Sequence, residues 1–191
     1  MSEDKHKTYI SSSKQWQWSY ELARRIVDSG WKPDAVIGLY RGGVFPAIVI
    51  EDYLRSNGIK TFHFPLHCQS YDANAAESVS SNVKVVDLPE YVLTSMKEWK
   101  NILIVDDICD TGKTLEAVKA KIRSYGPTTS DGFTPFIFRT ACLLWKPDVC
   151  ETPPTWWVKE ASVDEWIVFP HEFVDISLND KLQVEQQKEN K

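Results

Sequence analysis

The run Ile102-Leu103-Ile104-Val105-Asp106-Asp107-Ile108-Cys109-Asp110-Thr111-Gly112-Lys113-Thr114 constrains the fold more than any other stretch of the chain. Four consecutive apolar residues predict a buried strand, which is expected to end at Asp106 and Asp107. Small polar residues follow and open a predicted helix over 114–125. Leu115, Val118 and Ile122 share one face of that helix, and Gly126-Pro127 stops it. A strand passing through a glycine turn into a helix is the repeating unit of open α/β sheets, whose ligands bind at the carboxyl ends of the strands.

The same unit recurs along the chain. Trp16, Tyr20, Ala23, Ile26 and Val27 fall at steps of three and four, and Ser12 and Gln15 have capping-box spacing, so 12–29 reads as an amphipathic helix. An apolar strand at 35–39 leads into the turn Arg41-Gly42-Gly43 and a second helix that stops near Asn57-Gly58. Further strands are predicted at 59–66, 83–86 and 136–145, and a helix at 90–100. This alternation predicts a parallel β-sheet core flanked by helices with right-handed crossovers. From residue 152 the chain is rich in Trp, Pro and Val with little helical period, which suggests a short β-rich appendage. Its last residues are polar. The expected division is a core over 1–151, the appendage over 152–176 and a tail over 177–191.

With 191 residues, 42% of them hydrophobic, the chain can bury one full core. A net charge of −5 without a clustered basic face argues against nucleic acid as a partner. The apolar stretch 44–50 contains Pro46 and is too short to cross a bilayer, and the start MSEDKHK lacks an apolar signal core. No membrane partner and a cytoplasmic location are therefore expected. Cys68, Cys109, Cys142 and Cys150 form no C-x-x-C pair and read as reduced, packed thiols. His63 and His67 flank Pro65 in a strand-like stretch, and no metal site is expected there.

The chemistry concentrates in the first segment. Thr111, Gly112, Lys113 and Thr114 suit a monophosphate: glycine lets the backbone approach closely, the hydroxyls donate, and a helix N-terminus favours an anion. Adjacent carboxylates at Asp106 and Asp107 suit a diol. Gly-Lys-Thr also ends the Walker A motif, but that motif needs a glycine where Asp107 stands, and three carboxylates before the loop would repel a triphosphate. A lone Asp often does no more than cap a turn; the combination of strand, acids, loop and helix asks for more.

VDDICDTGKT resembles the 5-phosphoribosyl-1-pyrophosphate (PRPP) binding motif of type I phosphoribosyltransferases, and the likeness extends over most of the chain, nearest to the xanthine-guanine and hypoxanthine enzymes. The resemblance implies that Asp106 and Asp107 hold the ribose hydroxyls, directly or through Mg2+. It implies that Asp110, Thr111, Gly112, Lys113 and Thr114 wrap the 5-phosphate, and that Asp110 also serves as the catalytic base near purine N7.

Tyr40-Arg41-Gly42-Gly43 resembles the pyrophosphate loop, with Arg41 and Gly42 as ligands and a non-proline cis peptide before the basic residue. By itself a Gly-Gly pair opening a helix is only a tight turn. Ser70-Tyr71, followed by the polar run 72–82, resembles the mobile loop that closes over pyrophosphate, which implies that both residues take part in PRPP binding. Lys146-Pro147 resembles the lysine-proline that contacts the 6-oxo group, although a strand-end lysine is ordinarily a solvated charge. Residues 164–170 resemble the C-terminal hood, which implies that Trp166 and Ile167 pack on the base. The match weakens after Pro170, since His171-Glu172 stands where the xanthine-guanine enzyme carries a different aromatic and acidic pair, which bears on recognition of the purine 2-position.

The family thus implies a purine-salvage enzyme, a pentosyl-transferring glycosyltransferase. It would move phosphoribosyl from PRPP to hypoxanthine, guanine or xanthine, with Mg2+, as a homodimer or homotetramer. The alternative from another class is a PRPP-sensing regulator with little or no catalysis.

Overall fold

The computed structural model describes residues 6–70, 83–126, 136–150 and 152–172. In chain order its elements are β1 (His6–Tyr9), α1 (Ser12–Asp28), β2 (Ala35–Tyr40), α2 (Val44–Ser56), β3 (Phe62–Ser70), β4 (Val83–Val85) and α3 (Glu90–Ser95), which is followed by a 3-10 turn, Met96–Glu98. Then come β5 (Asn101–Cys109), α4 (Lys113–Tyr125), β6 (Ile137–Trp145), β7 (Trp156–Glu160) and β8 (Glu165–Val168). Six strands form one sheet in the order β4-β3-β2-β5-β6-β7, with all neighbours parallel except β3 and β4. β1 and β8 pair separately, in parallel.

Strand residues alternate between two cores, which is why the central strands are apolar throughout. Ala35, Ile37, Leu39, Ile102, Ile104 and Cys142 face Val92, Met96, Leu115, Val118 and Ile122 of the α3 and α4 layer. Val36, Leu103, Val105, Ala141 and Leu143 face Leu22, Ala23, Ile26, Ala47, Ile50 and Leu54 of α1 and α2. No helix among the described residues is long and apolar enough to cross a membrane.

Several sequence expectations are corrected in detail. Ser11 rather than Ser12 caps α1, accepting a hydrogen bond from Lys14 N at 3.2 Å. Gln15 is turned into the core, where it cannot reach back to the cap. β3 begins at Phe62, not 59, because Ile59 N is used by Leu54 O in the turn that ends α2. β4 runs antiparallel to β3, a pairing that needs no crossover helix, so alternation alone could not reveal it. The 90–100 helix is shorter than expected, because after the 3-10 turn Trp99 leaves in an extended conformation and packs into the first core.

Two corrections bear on the site. β5 does not end at the two acids: its pairing with β6 continues through Ile108↔Leu144 and Cys109↔Trp145. The stretch expected as an appendage divides, with β7 extending the main sheet beside β6 and β8 pairing with β1. No strand is predicted at β1, which is four residues long and polar.

Candidate active site

The β2–β5 pairing stops at Gly38↔Val105, so beyond Val105 one side of β5 is open, and the turn after β2 folds over it. A Cβ at Gly42 would overlap the Asp107 carboxylate, and one at Gly43 would meet the Val105 carbonyl and stand 2.8 Å from Asp106 Cα. Only a backbone without side chains at these positions can lie so close to the acids. The turn is held by Gly43 N donating to Leu39 O at 2.9 Å, and the Tyr40–Arg41 peptide is cis. This places Arg41 and Gly42 with Asp106, Asp107 and Thr114 in the wall of one cavity of about 510 Å³.

Asp106 Oδ1 accepts from Asp107 N at 3.0 Å, and Asp107 Oδ1 accepts from Ile108 N at 2.8 Å, so local backbone groups orient both carboxylates. Desolvation, then the neighbouring charge of Asp107, push the Asp106 carboxyl well above the usual carboxylate range. A second cavity, of about 370 Å³, is formed by the consecutive residues from Asp106 to Leu115, with Val83. It contains every residue assigned to the phosphate loop. Gly112 turns the chain at φ 77° and is the N-cap of α4, so no capping side chain occupies that helix end.

Asp110 and Lys146 meet across the β5–β6 pairing. Lys146 Nζ lies 3.6 Å from Asp110 Oδ1, with the lysine side chain 9% and the aspartate 57% exposed. Lys146 is no solvated strand-end charge: its N donates to Cys109 O at 3.0 Å and its carbonyl accepts from Cys150 N at 3.1 Å. Asp110 and Lys146 are thereby tied to one backbone junction.

From the C-terminal side, His171 Nε2 lies 3.5 Å from Asp107 Oδ2, and its ring stacks on Phe169. Glu172 accepts from Phe169 N at 2.8 Å. Burial, and then the Asp107 charge, raise its carboxyl above the ordinary value, against the hydrogen bond from Phe169 N. Both residues line the larger cavity, as do Tyr40, His67 and Cys68. Burial pushes the Cys68 thiol up to about 12, with Asp106 adding to the effect. Sequence reasoning assigned none of these five a role. The usable signal was the position of His171-Glu172 directly after the hood match.

Of the other assigned residues, Trp166 is 50% exposed on β8 and Ile167 packs against the second core; neither lines the two cavities. Ser70 ends β3 in register with Val83, and Tyr71 lies outside the described residues. His63 and His67 stand four apart on β3 and serve separately, His63 Nδ1 3.7 Å from Glu51 and the His67 ring tilted at 37° against Tyr40, with centroids 5.5 Å apart.

Residues 17–176 match the family described as phosphoribosyl transferase domain, and the chain belongs to that family. The hypoxanthine-guanine phosphoribosyltransferase of Saccharomyces cerevisiae is 26% identical, over 94% of this chain and 92% of that protein. The xanthine-guanine phosphoribosyltransferase of Cereibacter sphaeroides is 32% identical, over 75% of this chain and 71% of its own length. Among solved structures, the purine phosphoribosyltransferase from Pyrococcus horikoshii superposes with a TM-score of 0.63 at 26% identity, covering 90% of this chain and 97% of that one.

Proposed function

We propose that the protein is a purine-salvage phosphoribosyltransferase, transferring phosphoribosyl from PRPP to a 6-oxopurine and releasing pyrophosphate. The observation that carries this reading is the Asp110–Lys146 pair, set at the phosphate loop by the β5–β6 junction. A carboxylate beside a largely buried ammonium supplies a proton acceptor for purine N7 and a donor for its 6-oxo group. The relatives named above for hypoxanthine, guanine and xanthine support the same choice of base.

In this reading Thr111, Gly112, Lys113 and Thr114 bind the 5-phosphate, and Asp106 and Asp107 face the ribose hydroxyls. Asp106 and Asp107 also fit Mg2+: they are adjacent hard oxygen donors, and the unfavourable charging of Asp106 is what a divalent cation relieves. Bound there, Mg2+ would add positive charge beside the departing pyrophosphate. As that bond breaks, the sugar carbon gains oxocarbenium-like character and the purine nitrogen attacks it. Asp110 takes the N7 proton while Lys146 holds the 6-oxo group. Arg41 and the Gly42 backbone bind the leaving pyrophosphate.

The role of Ser70 and Tyr71 is to close over PRPP and exclude water, and that of Trp166 and Ile167 is to pack on the base. The hood is then the β1–β8 pair with residues 169–172, over the main sheet as core. The enzyme works in the cytoplasm as a homodimer or homotetramer, which light scattering on the purified protein will decide. A PRPP sensor is not favoured, because a sensor has no use for the Asp110–Lys146 pair and these relatives are named as enzymes.

The test is incubation of the purified protein with Mg2+, PRPP and each of hypoxanthine, guanine and xanthine at matched concentration. Formation of the nucleoside monophosphate is expected with at least one base. PRPP binding without turnover on any of them would return the sensor reading.

A further inference from the structure

Three of the four cysteines gather behind the phosphate loop, and the transfer chemistry above uses none of them. Cys109 ends β5 directly before Asp110, and its Sγ lies 3.4 Å from Cys150 Sγ. Cys150 ends the turn that begins at Lys146, and its Sγ stands 3.0 Å from where a Cβ on Gly112 would be. The Cys109–Cys150 contact therefore joins both halves of the site, the phosphate loop and the Lys146 turn. Cys109 is buried in the first core and belongs to the wall of the 370 Å³ cavity, whereas Cys150 does not line that cavity. Cys142 is also nearby. It is fully buried within β6, opposite Asp106 in register, where both neighbouring strands hold it, whereas Cys150 lies on a turn.

A disulfide needs its sulfurs about 2.0 Å apart, so the pair must close by roughly 1.4 Å. We propose that Cys109 and Cys150 form a reversible oxidation site, in which a hydroperoxide converts the two thiols to a disulfide and weakens PRPP binding by displacing the support beneath Gly112. The functional half of this statement rests on the reading under "Proposed function"; the site itself does not.

With hydrogen peroxide as the oxidant, the Cys109 sulfur attacks the O–O bond. One oxygen is transferred to give a sulfenic acid, and the other departs as water with the thiol proton. The Cys150 sulfur then attacks the Cys109 sulfur. The S–S bond forms, the S–O bond breaks, and the hydroxyl leaves as a second water with the Cys150 proton. Two thiols lose two electrons in all and one peroxide gains them; a dithiol reductant reverses the change.

The experiment treats the full-length protein with hydrogen peroxide, alkylates the remaining thiols, and maps the products by tandem mass spectrometry of proteolytic peptides. The PRPP KM is measured before treatment, after it, and after dithiothreitol. A Cys109–Cys150 link is expected, with a PRPP KM higher by about tenfold, the effect of one lost hydrogen bond to a charged group, and recovery on reduction. Cys150→Ala should show no link and no change of KM on treatment, and Cys142→Ala should still form the link. Alkylated thiols at both positions after treatment, a link from Cys109 to Cys142, or a link that leaves the PRPP KM unchanged overturns the proposal. A protein that turns over no base sinks the reading under "Proposed function", while the peptide map still decides the oxidation site.

Discussion

Gly42 lies so close to Asp107 that a Cβ on the glycine would occupy the space of the carboxylate. The obstructing atoms are the free end of a side chain, which can swing away, so Gly42→Ala should cost little stability. If Asp107 faces the ribose as proposed, displacing its carboxylate should raise the PRPP KM by about tenfold or more while the melting temperature stays close to wild type. At Gly43 the obstruction is the Val105 carbonyl and the Asp106 Cα, neither of which can move without the strand. Gly43→Ala should therefore lower stability by about 1–3 kcal/mol, the usual cost of forced overpacking. Thermal melts and PRPP kinetics on the two variants separate the cases. Equal losses of stability would mean the turn does not rest on β5 as described.

Asp106 predicts an opposition between stability and function. Its carboxyl is raised above the ordinary value of 3.8 by burial and by Asp107, so the folded state prefers the protonated form. For a group raised on folding, the favourable contribution is complete below the unfolded value and is lost as pH rises through the folded one. At pH 8, far above the unfolded value, the group should thus be a burden on the free protein. Asp106→Asn should raise the melting temperature there by about 2–4 °C, and the gain should shrink as pH falls toward 3.8. The same change should remove Mg2+-dependent PRPP turnover. A variant no more stable than wild type at pH 8 would contradict the raised carboxyl assigned to the half-buried Asp106.

The strand-turn-helix at 102–125 was legible because apolar run, glycine and helical period all agree locally. The sequence could not show that β5 outlasts Asp107, since that depends on Leu144 and Trp145 of β6 standing in register with Ile108 and Cys109. The Asp110–Lys146 contact follows from the same register, and only the resemblance brought those two residues together beforehand. β1 escaped for a similar reason: four polar residues become a strand only when Glu165–Val168 of β8 supplies the partner, far along the chain. His171 reaches Asp107 from that same end. Short-range pattern gave the layers, and contacts between distant segments built the site.

The Asp110–Lys146 pair should divide its effects between kcat and KM. Asp110→Asn keeps the shape and removes the proposed proton acceptor, so kcat should fall by about 10²–10⁴ while the PRPP KM changes little. Lys146→Met keeps a buried side chain of similar length and removes the donor, so the main loss should be a higher KM for the base. Equal losses of PRPP binding and turnover in Asp110→Asn would contradict the base role.

Trp166 tests whether the hood meets the base. It is 50% exposed, on a strand that pairs among the described residues with β1 alone, and it lines neither cavity, so the folded protein gains little from its ring. Trp166→Ala should therefore melt close to the wild-type temperature, as substitutions at exposed positions usually do. If the ring stacks on the purine, its removal should cost about 1–3 kcal/mol of base binding, the range found for aromatic stacking on nucleic-acid bases, and the base KM should rise by about tenfold or more. The PRPP KM should stay unchanged, because Trp166 does not line the cavity formed by residues 106–115. Unchanged kinetics for all three bases would remove Trp166 from the site and shift attention to His171 and Glu172, which already line the larger cavity.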